Sequence, residues 1–567
     1  MVKLLLTGVF KPFGVSDEYG EALCTMELLN NQVTREQGIH SPRSNNPSFG
    51  LYLMAENLDI PATVLDFPSW NDFTKEIDKG NYTHVGISFI VPNVLKAKRM
   101  AEYIRRQSPS TKIIVGGHGA AIPNLRDILD YDEVCRGEGV AWLRRYFGED
   151  VKKPIKHPVV HSAVRKFVYG APILDMAGII IPGVGCQNSC SFCATSHKFE
   201  KQYTSFLKTG REMMDACNKT AEKLKVKDFG VMDENFLKSP VRARQFVDEM
   251  EKDMKAYTFS IFSSADTVTK MGVDFLVRMG VNFIWIGVES KWNVFEKTHG
   301  VDLFKLIKDL QDRGVTVLAS TILFMDHHDK FTIEEDIDWA ISLKSDLLQL
   351  MQFGPIPGTQ LYKDYEAKGK LFMDIPWPSQ HGQNKIWFHH PHFTLPETSQ
   401  YLKGAFIRKY QTNGPGVLNM AHTAIKGYLK LMEDIKDREE NGLVWCPKTL
   451  SYIPHPNPKP DEFMKLRLES WRENARRFRP IFSTALKYAP NEKAAEKCRM
   501  IMNLYDKVFG KLTIKEMALE VVVKTFAILE NQKYKRNGSV MRQPKTKRAE
   551  FPDRRNDKSS GVQKQIH

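Results

Sequence analysis

The sequence predicts an α/β protein with a doubly wound, Rossmann-like N-terminal domain. A partial or complete TIM-type βα barrel and a mainly helical C-terminal region are predicted to follow it. Short apolar runs alternate with helical patterns in residues 1–150 and again from 173 to 380, and this alternation is typical of parallel sheets. The 567 residues suffice for about three domains or two large ones. Hydrophobic residues at 42% and charged residues at 26% exclude fibrous and wholly disordered classes.

The predicted N-terminal domain, residues 1–150, contains four apolar runs of strand length. Residues 94–104 between the last two runs have apolar side chains at helical spacing and predict a crossover helix. Ligands of such sheets bind at the carboxyl ends of the strands, so the loops there are candidate binding sites. The predicted strands are Val2–Leu6, Ala62–Leu65, His84–Ile90 and Lys112–Val115.

Residues 151–172 are polar and predict a linker, and six further strands are predicted in residues 173–380. Six strand–helix units over about 200 residues fit a barrel, whose chemistry lies on the loops after the strands. Residues 381–530 have helical patterns, such as Phe463–Phe478 and Met517–Leu529, and predict a mainly helical domain. The six strands are Gly178–Ile181, Asp228–Met232, Thr258–Ser263, Phe283–Val288, Thr316–Ser320 and Leu347–Gln352.

The net charge of +14 is the unusual feature of the composition. Such a charge indicates nucleic acid, an anionic membrane surface or an unpaired basic tail. Residues 531–567 contain eleven Lys/Arg and three Asp/Glu, a net charge of +8, which leaves +6 for residues 1–530. We therefore expect a disordered basic tail at 531–567 that contacts anionic lipid headgroups, and no nucleic-acid partner.

The compartment is predicted from three absences in the sequence. No stretch of 18 or more apolar residues occurs, so no transmembrane helix is expected. The apolar run at the N-terminus is too short for a signal peptide. Eight cysteines in a chain of this length do not make a disulfide scaffold. We expect a cytoplasmic protein, in peripheral contact with the inner face of the membrane through its tail.

Three cysteines carry the clearest chemical signal. Cys186, Cys190 and Cys193 lie on one loop directly after the predicted strand Gly178–Ile181. Thiolates at these spacings can converge on one metal centre, and thiolates are the ligands of iron–sulfur clusters. Zinc would need a fourth Cys or His, for which His197 is the candidate. An iron–sulfur cluster and a zinc ion both remain open from spacing alone.

This CxxxCxxC motif, with Phe192 before its third cysteine and at the end of a barrel's first strand, resembles the radical S-adenosylmethionine superfamily. The resemblance implies a [4Fe-4S] cluster on the three cysteines. It also implies that the fourth iron chelates the methionine part of S-adenosyl-L-methionine. Reductive cleavage would then yield a 5′-deoxyadenosyl radical, with the electron supplied by a donor such as flavodoxin or ferredoxin.

The same resemblance implies further S-adenosylmethionine-binding positions on later strands. Acidic or polar groups after the second strand would bind the methionine amine, because a carboxylate suits an ammonium; the alternative is a helix N-cap. Two serines after the third strand would bond ribose or carboxylate, and a glutamate on the fourth would accept a ribose hydroxyl. These positions are Asp233, Glu234, Asn235, Ser263, Ser264 and Glu289.

Three pieces of the N-terminal domain resemble the cobalamin-binding domains attached to radical enzymes. Glycines after parallel strands let the backbone approach a flat, bulky ligand. The DxHxxG pattern is absent, so we expect no histidine ligand below the cobalt, and a domain that binds nothing is the alternative. The implied positions are Ser88, Pro92, Asn93, Gly116, Gly117, His118, Gly119, Gly137 and Glu138.

The resemblance covers roughly residues 1–395 and predicts a cobalamin-dependent radical S-adenosylmethionine enzyme. Its expected reaction is methylation of an unactivated carbon of a small-molecule or lipid substrate. One alternative keeps the cofactors but performs a rearrangement, cyclisation or carbon–carbon coupling without methyl transfer. Another is a metal-stabilised binding protein whose basic surface holds nucleic acid or membrane.

Overall fold

The N-terminal domain of the computed structural model is built on a parallel sheet. The structure describes residues 2–162, 166–173, 177–292, 295–510, 512–538 and 541–555. The strands of this sheet are β1 (Leu4–Gly8), β2 (Ala62–Asp66), β3 (His84–Ser88), β4 (Lys112–Gly116) and β5 (Glu133–Val134). Its helices are α1 (Phe49–Glu56), α2 (Trp70–Gly80), α3 (Val94–Gln107) and α4 (Gly139–Tyr146).

These five parallel strands lie in the order β2-β1-β3-β4-β5. The strand order reverses between β1 and β3, and open α/β sheets bind ligands at such a switch point. The predicted crossover helix is α3, whose buried face consists of the apolar residues predicted for it. The four predicted strands therefore form, each within two residues of its predicted bounds.

The second sheet contains all six predicted strands, parallel and in chain order, as part of the order β16-β15-β14-β13-β12-β9-β6. Their carboxyl ends therefore share one edge. Closure into a barrel stays a prediction. The strands are β6 (Val160–His161), β9 (Gly178–Ile180), β12 (Asp228–Val231), β13 (Thr258–Ser264), β14 (Val281–Glu289), β15 (Thr316–Leu323) and β16 (Leu347–Gln352). Two separate antiparallel pairs are β7 (Lys166–Val168) with β8 (Ala171–Ile173), and β10 (Gly183–Val184) with β11 (Thr204–Ser205).

Helices connect the strands of this sheet and cover it. Helix α6 begins with a capping box formed by Thr209 and Glu212, which fixes its first turn. The predicted linker at 151–172 is partly structured, because β6 pairs with β9 and β7 pairs with β8. The helices are α5 (Ala194–Lys198), α6 (Gly210–Leu224), α7 (Pro240–Lys252), α8 (Ala265–Met271), α9 (Val273–Met279), α10 (Leu303–Asp312), α11 (Thr332–Ser342) and α12 (Gln360–Ala367).

The C-terminal region is mainly helical, as its residue patterns predict, and it packs against the second sheet. Arg467 is fully buried and donates to the backbone carbonyls of Tyr257, Arg278 and Met279. No helix in the described part of the chain is long and apolar enough to span a membrane. The elements are α13 (Leu395–Asn413), α14 (Gly416–Glu440), β17 (Leu443–Cys446), β18 (Ser451–Pro454), α15 (Glu462–Arg476), α16 (Phe482–Lys487), α17 (Glu492–Phe509) and α18 (Ile514–Asn537).

The predicted disordered tail at 531–567 is wrong for the residues that the structure describes. Helix α18 continues to Asn537, and a further strand, β19 (Lys547–Phe551), pairs antiparallel with β2 at the edge of the N-terminal sheet. Some of the basic side chains there are paired with acidic ones, as in Arg542 with Glu530 and Arg548 with Glu76. The composition of this segment suggested a solvated tail because, along β19, partly buried residues alternate with exposed charged residues.

Removing residues 541–567 is expected to destabilise the N-terminal domain. The truncation deletes the β19–β2 ladder, whose backbone hydrogen bonds contribute on the order of 3 kcal/mol in total at about 1 kcal/mol each. It also exposes β2 as a bare sheet edge that can pair with another chain. Thermal unfolding and size-exclusion chromatography measure both effects. Removal of 556–567 alone is the matched control, and equal behaviour of the two truncations would contradict the role of β19.

Candidate functional site

The cysteine loop follows β9 and is held in shape by its own backbone. Gly185 lies just before Cys186 with a φ of +93°, and a Cβ there would lie 2.1 Å from the Gln202 carbonyl oxygen. Only glycine fits this turn without displacing backbone. Helix α5 begins directly after Cys193, and Ser196 of α5 donates to the Cys186 carbonyl at 2.9 Å. The first and third cysteines are therefore fixed by one short helix.

Aromatic packing holds the middle of the loop against the second sheet. The Phe192 ring contacts Phe295 and Phe353, with centroids 5.0 and 6.2 Å away. The backbone N–H of Leu361, in α12, donates to the Ser191 carbonyl at 3.0 Å. The predicted role of Phe192 near the cofactor stays a prediction, while its contacts show that it anchors the loop.

The three cysteines are free and half-buried. Among the described residues, the one trio of His, Cys, Asp or Glu with ligand atoms all within 4.8 Å of one another is His327, His328 and Asp336. Sulfur ligands of tetrahedral zinc, with bonds of about 2.3 Å, lie about 3.8 Å apart. At least one pair of the three sulfur atoms is therefore farther apart than in a formed zinc site.

A buried ion pair that the sequence did not reveal lies beside these cysteines. The Lys297 ammonium pairs with the Glu289 carboxylate, and both side chains are buried, with 18% and 6% exposed. Burial acts to lower the pKa of Lys297, but the charge of Glu289 and the negative charge of Cys190 and Cys193 in their thiolate forms raise it above its ordinary value. The ammonium of Lys297 is therefore favoured by the carboxylate and by ionised cysteines of the loop.

Gly287 makes room for this ion pair on β14. A Cβ at Gly287 would lie 2.1 Å from Glu289 Oε1 and 2.9 Å from Lys297 Nζ. Glu289 itself has a φ of +57°, a conformation that non-glycine residues rarely adopt. The strand end is therefore shaped around the carboxylate, and the predicted hydroxyl acceptor has one oxygen already bound to Lys297.

Asp233, after β12, is buried and bonded to protein groups on two sides. Its carboxylate accepts from Tyr203 Oη at 2.5 Å and from Arg242 Nη2 at 2.9 Å. It also accepts from the backbone N–H of Asn235 at 3.1 Å. Asp233 therefore links the segment after β12 to neighbouring side chains, and little of its hydrogen-bonding capacity is left for a ligand.

Asn235 and the two predicted serines form one closed, buried network. Asn235 Oδ1 accepts from Ser263 Oγ at 2.9 Å, and Asn235 Nδ2 donates to Ser264 Oγ at 3.0 Å. The network joins the carboxyl ends of β12 and β13. The sequence thus identified three residues that the structure brings together, although they bond to each other.

Glu234 is the acidic residue of this group that faces open space. Its carboxylate is accessible to solvent, while the protein packed around it desolvates the charge and raises its pKa to about 7, helped by the charge of Asp233. Backbone contact from Gly185 acts to lower that pKa. A cation bound beside Glu234 would lower that pKa, because an opposite charge favours the carboxylate.

A cavity of about 300 Å³ opens at the switch point of the N-terminal sheet. Glycines form much of its wall, and a Cβ at Gly50 or Gly137 would meet no atom within 4 Å. The predicted residues Ser88, Gly116, Gly117, Gly137 and Glu138 all line it. This smooth, mostly apolar wall at a sheet edge fits part of a flat ligand such as the tail of cobalamin.

The other predicted cobalamin residues lie outside the wall of this cavity. Pro92 and Asn93 are buried, and Asn93 bonds to Glu27. A Cβ at Gly119 would lie 2.2 Å from the Phe89 ring, so Gly119 is needed for packing. Burial lowers the pKa of His118 to about 3, which keeps its imidazole neutral. Their role toward a cofactor stays a prediction.

The N-terminal sheet and the segment around the cysteine loop both contribute to this cavity. Val184 of β10, Lys198 and Phe199 at the end of α5, and Phe206 after β11 line it. Helix α5, which starts after Cys193, also contacts the turn His118–Ala121. The cysteine loop and the sheet-edge cavity are therefore neighbours, connected by one helix. No local sequence signal marked Lys198, Phe199 or Phe206 as cavity residues, because their role depends on how this segment packs on the N-terminal sheet.

Comparisons with known proteins agree with this arrangement, although no family model matches the chain. An uncharacterized methyltransferase of Pyrococcus horikoshii is 20% identical over 378 residues, which are 60% of this chain and 82% of that protein. Bacteriochlorophyllide d C-8(2)-methyltransferase of Chlorobaculum tepidum is 28% identical over 329 residues, which are 52% of this chain and 71% of that protein.

A solved structure has the same fold. It is TsrM of Kitasatospora setae, a radical S-adenosylmethionine methyltransferase with cobalamin and a [4Fe-4S] cluster bound. The two structures align with a TM-score of 0.51 at 13% identity, over 83% of this chain and 100% of that chain. The resemblance predicted from the sequence is thereby confirmed: the chain has the fold of a cobalamin-binding radical S-adenosylmethionine methyltransferase.

Proposed function

We propose that this chain is a cobalamin-dependent radical S-adenosylmethionine enzyme that methylates an unactivated carbon of a small-molecule or lipid substrate. The observation that carries the proposal is the adjacency of the cysteine loop and the sheet-edge cavity, which α5 connects. Two neighbouring sites for different cofactors suit a reaction that needs both. The methyltransferase names of the relatives and of TsrM support methyl transfer.

The chain's own residues have distinct parts in this proposal. Cys186, Cys190 and Cys193 would hold the cluster, and Glu234 would bind the ammonium of S-adenosylmethionine. Glu289 would orient the ribose from its place beside Lys297. When bound, the cluster with S-adenosylmethionine supplies a carbon-centred radical, and cobalamin supplies the methyl group. The protein orients these groups and excludes water, and the cofactors perform the difficult chemistry.

The proposal also covers the electron donor and the cellular location of the protein. Flavodoxin or ferredoxin in the cytoplasm would supply the electron, since a cluster of this kind needs a low-potential donor. Within the predicted tail, the proposed membrane contact is restricted to residues 556–567, which contain two lysines and one aspartate. This net charge of +1 gives little attraction to anionic lipid.

Anaerobic reconstitution tests the proposed function. The chain is loaded with iron, sulfide and cobalamin, then given S-adenosylmethionine and a reductant. We expect 5′-deoxyadenosine and S-adenosylhomocysteine to form together, the second only when cobalamin is present. 5′-Deoxyadenosine alone would favour rearrangement or coupling without methyl transfer. A preparation that binds no iron and sulfide would instead favour the metal-stabilised binding protein.

A further inference from the structure

Helix α18, in the C-terminal region, exposes a cluster of large apolar side chains. Eight of its residues carry such exposed side chains, among them Val521, whereas every other helix in the described part of the chain has at most one. Single exposed apolar residues are ordinary on a protein surface, but a contiguous group of them marks a contact surface. The solvent-facing side of α18 is therefore a candidate interaction site.

These apolar residues follow the side of α18 that points away from the protein. Ile514, Val521 and Ile528 are seven residues apart, about two helical turns, so they lie on one line along the helix. Val523 and Ala527, on the opposite side, are buried in a core shared with α16 and α17. We call the side with Ile514, Val521 and Ile528 the outer face of α18.

The charges of α18 are divided between its two sides by sign. Its three glutamates are almost fully buried and pair with arginines, as Glu516 does with Arg476. At about 100° per residue, two lysines lie on each flank of the outer face, and one of them, Lys524, also pairs with Glu520. The exposed charges of α18 are all basic, namely Lys515, Lys524, Lys533, Lys535 and Arg536.

An apolar stripe flanked by lysines fits the surface of an anionic bilayer. Helices of this kind lie in the plane of the interface, where apolar side chains enter the acyl region and lysines extend to the headgroups. A second copy of the chain fits less well. Lys524 is at the middle of α18, so antiparallel pairing of two copies would place this lysine against its own equivalent.

We propose that the outer face of α18 binds the surface of a membrane that contains anionic lipids. The helix lies in the plane of the interface, because its opposite side stays packed in the protein core. Residues 556–567 are not needed for this contact, since the outer face lies on α18 itself. The contact is also independent of both cofactors, so its failure would leave the proposed function untouched.

Sedimentation of the full chain with sucrose-loaded vesicles tests this surface. One set of vesicles contains phosphatidylcholine and phosphatidylglycerol in equal parts, and the other contains phosphatidylcholine alone. Val521→Gln/Ile528→Gln makes the outer face polar at positions that are 62% and 44% exposed, so the fold should remain intact. Val241→Gln/Met432→Gln is the matched control, because these side chains are 65% and 45% exposed on α7 and α14. Circular dichroism checks the fold of each variant.

We expect Val521→Gln/Ile528→Gln to weaken binding to the anionic vesicles by about 10–100-fold, the range for two apolar side chains that lose part of their burial. The control variant and a chain without residues 556–567 should bind these vesicles like the wild type. Neutral vesicles should bind the wild type about tenfold more weakly or less, because the lysines then lose their attraction.

A wild-type chain that does not bind the anionic vesicles would overturn the proposal, as would equal binding by Val521→Gln/Ile528→Gln. Size-exclusion chromatography identifies the competing occupant. A wild-type dimer that this variant loses, without vesicle binding, would assign the outer face to a second copy of the chain instead.

Discussion

Cys193→Ala is expected to abolish cluster binding and the formation of 5′-deoxyadenosine. A [4Fe-4S] cluster that keeps one iron open for substrate has only three protein ligands, so none can be spared. The substitution also removes the residue from which α5 begins. We expect the visible absorbance of the cluster to vanish and product formation to fall by at least about 1,000-fold, more than 4 kcal/mol in the barrier.

Cys446→Ala is the matched control for this prediction. Cys446 is also free and half-buried, but it lies on β17, in the C-terminal region. Its variant should retain iron, sulfide and activity. A Cys193→Ala protein that keeps a stoichiometric zinc ion and its fold would contradict the cluster, since it would show a metal site of another kind.

Glu289→Gln is expected to destabilise the metal-free chain by about 3–5 kcal/mol. The substitution leaves Lys297 as a buried cation without its counterion, and breaking one side of a buried pair costs about that much. The double variant Glu289→Gln/Lys297→Met should recover most of the stability, because no uncompensated charge remains. Denaturant unfolding of the single and double variants measures both energies.

The exposed pair of Lys305 and Asp309 provides the comparison for this cycle. The Lys305 side chain is 71% exposed, and such pairs contribute about 0–1 kcal/mol. Asp309→Asn should therefore change stability little. Binding of S-adenosylmethionine separates structure from function, because the double variant should fold yet bind it weakly. A Glu289→Gln chain as stable as the wild type would show that Lys297 finds another partner.

The sequence was sufficient to predict the strands and the position of the cysteine loop after the first predicted strand of the second sheet. The pattern of apolar residues in a strand and the turn residues that bound it are local features of the sequence. For this reason β16 forms over the predicted residues 347–352. The cysteines, Asp233, Glu234 and Glu289 follow strands, and parallel strands bring their carboxyl ends together wherever the sheet forms. The position of a loop after a strand can therefore be predicted before any tertiary contact is known.

The remaining features depend on contacts between distant segments. Lys297 lies eight residues after Glu289, and nothing in that spacing shows that its ammonium returns to the strand end. Lys198 faces the N-terminal sheet only because α5 packs against the turn at His118. β19 finds its partner almost 500 residues away, so its local composition resembled a solvated tail. Composition reports local solubility and cannot show such pairing.

The pairing of β19 with β2 sets the order in which the protein can be completed during synthesis. β2 is made early, but β19 follows every strand of the second sheet in the chain. The N-terminal sheet can therefore be completed only after the cysteine loop and the helices that follow it have left the ribosome. Non-local pairing of this kind is slow to form, and until then the open edge at β2 can pair with another chain.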